Sequence, residues 1–118
     1  MRKLILLVVA SLFVGCSAFR AEEPRVEVNN ATVVVAAGHN LRDAVVQAAT
    51  RRHWAVHEQA NGDIRCQILQ RSNVVTIDIV ILSETTYAIR FVESNIPNRK
   101  YNQWVGNLQR EIAKWAAQ

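Results

Sequence analysis

Glycine, cysteine and histidine are all scarce in this sequence, and each scarcity removes a class of chemistry. Four glycines in 118 residues leave no glycine-rich phosphate loop and no nucleophile elbow. Two cysteines, Cys16 and Cys66, allow one disulfide at most. The three histidines are His39, His53 and His57. His53 and His57 would share a face on a helix, but the chain is expected to change from helix to strand between them, so zinc-like spacing dissolves. Cys66 points inward and His57 outward in the expected register, which argues against a Cys-His nucleophile pair. We therefore expect no catalytic set, no metal and no cofactor, and a protein that is not an enzyme. Concentrated charge is missing as well. The formal net charge is +4, with the basic residues spread along the chain instead of gathered in a stripe that would mark a nucleic-acid footprint. Beyond the first fifteen residues no apolar run reaches the length of about 20 needed to cross a bilayer.

What the chain does have begins with a three-part N-terminus. Met1-Arg2-Lys3 is a charged start, residues 4–14 are apolar except for Ser11, and small residues follow at Gly15, Cys16, Ser17 and Ala18. The apolar run is too short to span a membrane, which favours an export signal. Phe13-Val14-Gly15-Cys16 resembles the lipobox of bacterial lipoproteins, with Phe where Leu is usual. The resemblance implies a signal peptide over 1–15, cleavage before Cys16, and lipid (a diacylglycerol thioether, usually with an acyl chain on the new amine) as the attachment to the membrane. Each buried methylene contributes about 0.8 kcal/mol, so two or three chains anchor stably. Ser17 after the cysteine implies outer-membrane sorting in enteric-type bacteria. The alternative is an ordinary leader cut after Ala18, releasing a soluble periplasmic protein. Loss of Arg2 and Lys3 with the leader leaves 12 basic and 10 acidic residues. Residues 16–25 then form the lipidated cysteine and a polar tether, in which Glu22 and Glu23 are expected to be solvated, and 26–118 a single domain.

Residues 64–82 organise that domain. They read as two strands joined at Ser72-Asn73, with Ile64, Cys66 and Ile68 of the first and Val75, Ile77, Ile79 and Ile81 of the second on the same face of the sheet. A two-residue loop there sets Ile68 against Ile77 and Cys66 against Ile79. A strand is expected over 26–37, with Asn29-Asn30 as an interruption and Val33-Val34-Val35 buried on both sides or at a covered edge. Asn40 then caps a helix whose stripe is Leu41, Ala44, Val45, Ala48 and Ala49, with Asp43 near its positive end. Arg51-Arg52-His53 suits the negative end better than it suggests an anion site. Residues 54–59 form the next strand, and a three-residue turn with Gly62 at positive φ faces Trp54 and Val56 inward beside Ile68 and Cys66.

After a turn at 83–86, Tyr87, Ile89 and Phe91 face inward, with Ile79 opposite Ile89 and Asp78 opposite Arg90. Tyr101, Trp104, Val105, Leu108, Ile112 and Trp115 form the stripe of a final helix over 100–116, read as core in preference to a ligand box. The fold class is α+β: strand, helix, three-strand antiparallel meander, helix, both helices packed on one face of a single sheet.

Trp54, Gly62-Asp63-Ile64, Arg71, Val75-Thr76-Ile77, Tyr87-Ala88-Ile89, Ser94-Asn95-Ile96 and the run Tyr101-Asn102-Gln103-Trp104-Val105-Gly106-Asn107-Leu108 together resemble a family of small bacterial lipoproteins of uncharacterised function. The Tyr-Asn-x-Trp-Val-x-x-Leu segment is the most specific part, and Asn73 stands where a histidine is expected. The resemblance implies location and fold and no activity. Asn102 and Ser94 are read as ties at the helix start.

The helix-free face of the sheet is the candidate interaction surface. Arg65, Leu69 and Arg71 lie on it with Gln67, Asp78 and Val80 with Val74, Thr76 and Leu82, Arg90 and Val92 with Ala88. Gln67, Asp78 and Arg90 are expected in one cross-strand row, Asp78 pairing with the arginine. Such an apolar face suggests an envelope protein partner, a homodimer, or cover by the first strand; scattered exposed aliphatics are the plainer reading. The chain is thus expected to be an outer-membrane lipoprotein facing the periplasm, acting as a binding or assembly module, with an inhibitor or accessory subunit of an envelope enzyme as the alternative. The element order also matches double-stranded-RNA-binding domains, but the export leader and the lack of a lysine cluster argue against nucleic acid as a partner.

Overall fold

The computed structural model of the chain describes residues 22–118. The leader, Cys16 and the first part of the tether lie outside those residues. Five strands and two helices follow: β1 Val28–Thr32, α1 Leu41–Arg51, β2 Ala55–Glu58, β3 Ile64–Gln70, β4 Asn73–Ile81, β5 Thr86–Ser94 and α2 Asn98–Ala117. The strands form one antiparallel sheet in the order β1-β5-β4-β3-β2, so β2 extends the meander at one edge and β1 closes the other. Both helices lie on one face and pack against each other. Their stripes meet Ile64, Cys66, Val75, Ile77, Ile79, Tyr87 and Ile89 in a single core. Burial of each large aliphatic side chain there contributes about 1.5–3 kcal/mol.

Local chemistry sets the helix ends. The Asn40 side chain accepts the Asp43 amide at 2.8 Å, the N-cap geometry. At the other end His53 takes φ +68 and donates its amide to the Thr50 carbonyl at 3.0 Å, while Trp54 donates to Ala49 at 2.9 Å. That pair of bonds is a Schellman motif, with histidine at the left-handed position usually given to glycine. The β2–β3 hairpin has the expected three-residue loop, with Gly62 at φ +92 and Val56 opposite Cys66, and Trp54 is buried. Trp104 and Trp115 lie partly buried at the margins of the core, the latter donating its indole N–H to Glu111 at 3.0 Å.

The central hairpin differs from expectation in register. Its loop is Arg71-Ser72, since Gln70 pairs with Asn73, and Cys66 faces Ile77 while Ile68 faces Val75. The shift is two residues, so every apolar side chain keeps its face. The cause lies outside the hairpin. Asn95 donates its side-chain amide to the Ser72 carbonyl at 2.6 Å and accepts the Val74 amide at 2.7 Å. This clamp holds the turn and keeps Arg71 at φ +60, the sign a primed two-residue loop requires at its first position.

Four other expectations are corrected. β1 is shorter than 26–37, bulges between Val28 and Ala31 where Asn29-Asn30 fall, and joins the edge beside β5 without covering the open face. Val33 and Val35 pack on the core while Val34 is 78% exposed, an alternation in place of burial on both sides. Phe91 sits on the helix side but remains 38% exposed, its ring edge-on to Tyr101 at 5.7 Å.

The tether gives the fourth correction, because the end of it nearest the domain is docked. Glu22 accepts the Asn98 amide at 3.0 Å, serving as the cap that Pro97 cannot provide at the start of α2. Asn102 accepts the Val26 amide at 2.7 Å and donates to Glu23 at 2.7 Å and to the Pro24 carbonyl at 2.9 Å. The Arg25 guanidinium lies 3.5 Å from the Phe91 ring centroid.

Candidate functional site

Alternation in β3, β4 and β5 sends one set of side chains away from the helices, and the observed register decides which of them meet. Arg65 stands opposite Asp78 and forms a two-pronged ion pair with it, both bonds 2.9 Å. Gln59 adds a hydrogen bond to the same carboxylate at 3.0 Å. Hydrogen bonding to Asp78 raises the Arg65 guanidinium further above its ordinary range, so its charge is fixed at any accessible pH. Arg90 also faces Asp78 across the β4–β5 ladder, yet the carboxylate pairs with Arg65, and the expected Asp78–Arg90 pair does not form. The fork geometry of Arg65 takes both oxygens at once.

Gln67 moves with the register into a second row. It donates to the Thr76 hydroxyl at 2.9 Å, which in turn donates to Glu93 at 3.3 Å. Thr76 is buried beneath these longer side chains, so the middle of the face is roofed by its own polar groups. A bulge in β5 at Thr76/Ile77 leaves Val92 without a cross-strand partner and brings Glu93 opposite Thr76. Strict alternation puts Val92 in a regular ladder and gives Glu93 no place on this face. Alternation from the inward Trp54 and Val56 also puts Ala55, His57 and Gln59 of the β2 segment on this side.

The apolar part of the face lies around these rows. Leu69 is 68% exposed, Leu82 47% and Val92 39%, while Val74 and Val80 are half-buried. Arg71 is exposed in the β3–β4 turn and Arg90 is exposed on β5. The structure thus brings Arg65 and Asp78 into contact, keeps Val80 beside them, and distributes Leu69, Arg71, Arg90 and Val92 around them. Cys16 lies outside the described residues.

Other titratable groups stand apart. His39, His53 and His57 are all exposed, and no group of three or more metal-ligating side chains occurs among the described residues. Cys66 is a fully buried free thiol, and burial, with a smaller contribution from the Asp78 charge, pushes it up to about 12. A thiol held protonated in this way is a packing group, not a nucleophile. Ser94 accepts the Ile96 amide at 3.3 Å and Asn102 holds the tether, so both act as ties near the start of α2. Among the described residues no helix is long and apolar enough to cross a membrane. No family profile, curated protein or solved structure matches the chain.

Proposed function

We propose that the protein is a lipid-anchored component of a bacterial envelope, attached through Cys16 to the outer membrane and facing the periplasm, whose domain is a small non-enzymatic binding or assembly module. The Tyr101-Asn102-x-Trp104-Val105-x-x-Leu108 run supports grouping it with the small lipoproteins it resembles. One observation carries the binding role: the open sheet face combines exposed Leu69, Leu82 and Val92 with an ordered Arg65–Asp78–Gln59 network. Exposed aliphatic side chains set around ordered, satisfied polar groups offer a partner apolar contact area and a fixed hydrogen-bonding geometry together. The occupant is a second protein of the same compartment.

Two measurements test the two halves. The intact mass of protein taken from cell membranes, beside a Cys16→Ala version, should show a chain starting at Cys16 plus acyl groups that the variant loses; an unmodified chain starting at Phe19 would replace the anchored reading. A photocrosslinker at Val80 in cells should then give a defined adduct that Leu69→Asp abolishes while the domain stays folded. An adduct of twice the chain mass would make the occupant a second copy. Unchanged adducts in the variant would show that the face is not the interface.

A further inference from the structure

The topology collects cationic side chains at the end of the domain where the tether docks. Arg51 and Arg52 close α1, Arg71 sits in the β3–β4 turn, and Arg99 and Lys100 open α2. The strand order places all of these positions at the same end of the sheet. Asn95 ties the segment before α2 to the β3–β4 turn. A groove of about 300 Å³ lined by Arg52, His53, Leu69, Gln70 and Trp104 joins the end of α1 to that turn and to the second turn of α2. The Lys100 ammonium lies 5.3 Å from the centroid of the Trp104 ring. None of the five cations forms an ion pair among the described residues, where the bridges are Arg42–Glu58 and Arg65–Asp78. Glu22, Glu23 and Glu93 share this end, so a cationic surplus remains. The opposite end carries Asp43 at the start of α1 and Glu84 in the β4–β5 turn, against Lys114.

We infer that this basic end is a docking surface for the anionic lipid headgroups of the membrane that holds the chain. The inference rests on the anchored reading above and extends it. The tether carries the argument. Glu22, Glu23, Pro24 and Val26 are all fixed to Asn98 and Asn102, so only six residue steps of chain separate Cys16 from the docked segment. Six residue steps span at most about 21 Å. A leash that short, leaving from the start of α2, holds the cationic end toward the bilayer and the Glu84 end away from it. Headgroup attraction falls off within about a Debye length, roughly 8 Å at physiological salt, a distance the leash allows. Trp104 at the same end adds an amphipathic ring of the kind favoured at headgroup depth. The open sheet face then stands along the membrane normal, accessible from the periplasm.

The test compares two reporters on the full chain purified from membranes, a fluorophore at Ser72→Cys in the basic end and at Glu84→Cys in the other. Cys66 is buried and does not compete for label. Each is reconstituted into vesicles of phosphatidylcholine, or of phosphatidylcholine with phosphatidylglycerol, doped with a headgroup quencher. In the anionic vesicles the Ser72 reporter should be quenched about twofold or more relative to the Glu84 reporter. That ratio should fall toward one at high salt and in the Arg51→Gln, Arg52→Gln, Arg99→Gln triple variant, whose folding is checked by circular dichroism. Equal quenching at both sites, or a ratio indifferent to salt and to the variant, overturns the inference. A mass without acyl groups removes the anchored reading instead. The unanchored chain then decides the matter: binding to anionic but not zwitterionic vesicles sustains the basic end, and absence of binding overturns it.

Discussion

Asn102→Ala should release the tether without unfolding the domain. The side chain makes three hydrogen bonds to the strap, to the Val26 amide, the Glu23 carboxylate and the Pro24 carbonyl. Exposed hydrogen bonds of this kind contribute at the lower end of about 0.5–1.5 kcal/mol each, so the three together hold the strap by about 2 kcal/mol. Glu22 on the Asn98 amide and Arg25 on Phe91 remain, the latter worth about 0.5–1 kcal/mol at an exposed site. Inside α2 the substitution also gains helix propensity, up to about 0.7 kcal/mol, which offsets part of the loss for the folded domain. The local and global effects therefore separate. Native-state hydrogen exchange should show the Val26 amide exchanging about 10- to 30-fold faster, since each 1.4 kcal/mol is tenfold, while amides of β4 keep the protection of the wild type within about threefold. Unchanged Val26 protection would refute the strap. Loss of β4 protection as large as that at Val26 would refute its independence from the core.

Three further outcomes follow from the same packing. Ile79→Ala, at a fully buried position in the central strand, should cost about 2–5 kcal/mol in urea unfolding through lost transfer energy and the cavity left behind. His53→Gly should raise the unfolding free energy by about 0.5–1 kcal/mol, read as a higher urea midpoint, because glycine occupies the left-handed φ of +68 without the side-chain penalty. The contribution of Cys66 to stability should be complete below about pH 9 and be lost toward pH 12 with a slope of up to about 1.4 kcal/mol per unit. The native Cys66 thiol holds its proton to about 12 against an ordinary 9.0, whereas the unfolded thiol ionises earlier. Cys66→Ala should flatten that decline, with a residue left by Tyr87 and Tyr101, whose hydroxyls burial also pushes up.

Most of the scaffold was legible because its signals are local. The period-two rows in β3, β4 and β5 declare which face is buried, and the Asn40–Asp43 cap and the 3.6-residue stripe of α2 declare their helices. Gly62 fixes its own loop and thereby the burial of Trp54. The central turn was not legible for the opposite reason. Arg71 and Ser72 carry no glycine or asparagine to mark a positive-φ position, and Asn73 in the next position invited the wrong loop. What selects the loop is Asn95, more than twenty residues away, through bonds to Ser72 and Val74. A two-residue shift keeps every apolar side chain on its face, so hydrophobic patterning is blind to it.

That blindness matters little to the core and a great deal to the open face. An isoleucine opposite either of two isoleucines buries much the same area, because apolar contacts are not directional. A carboxylate, by contrast, is defined by which cation lies across from it. Under the expected register Asp78 faces Gln67 and turns to Arg90; under the observed one it faces Arg65 and takes both prongs of its guanidinium. The same shift hands Gln67 to Thr76 and, with the β5 bulge, links it to Glu93. The strap follows the same rule. Glu22 and Glu23 read as solvated charge because nothing in their neighbourhood of sequence needs them, and their partners Asn98 and Asn102 lie 76 and 79 residues on. Tertiary polar contacts of this length decide how the domain is presented to a partner or a membrane, and the unsatisfied first turn of α2 is the reason one of them exists. Pro97 offers no side-chain cap, so the orphan amide of Asn98 recruits a carboxylate from the tether and, in doing so, fixes the direction from which the chain enters its domain.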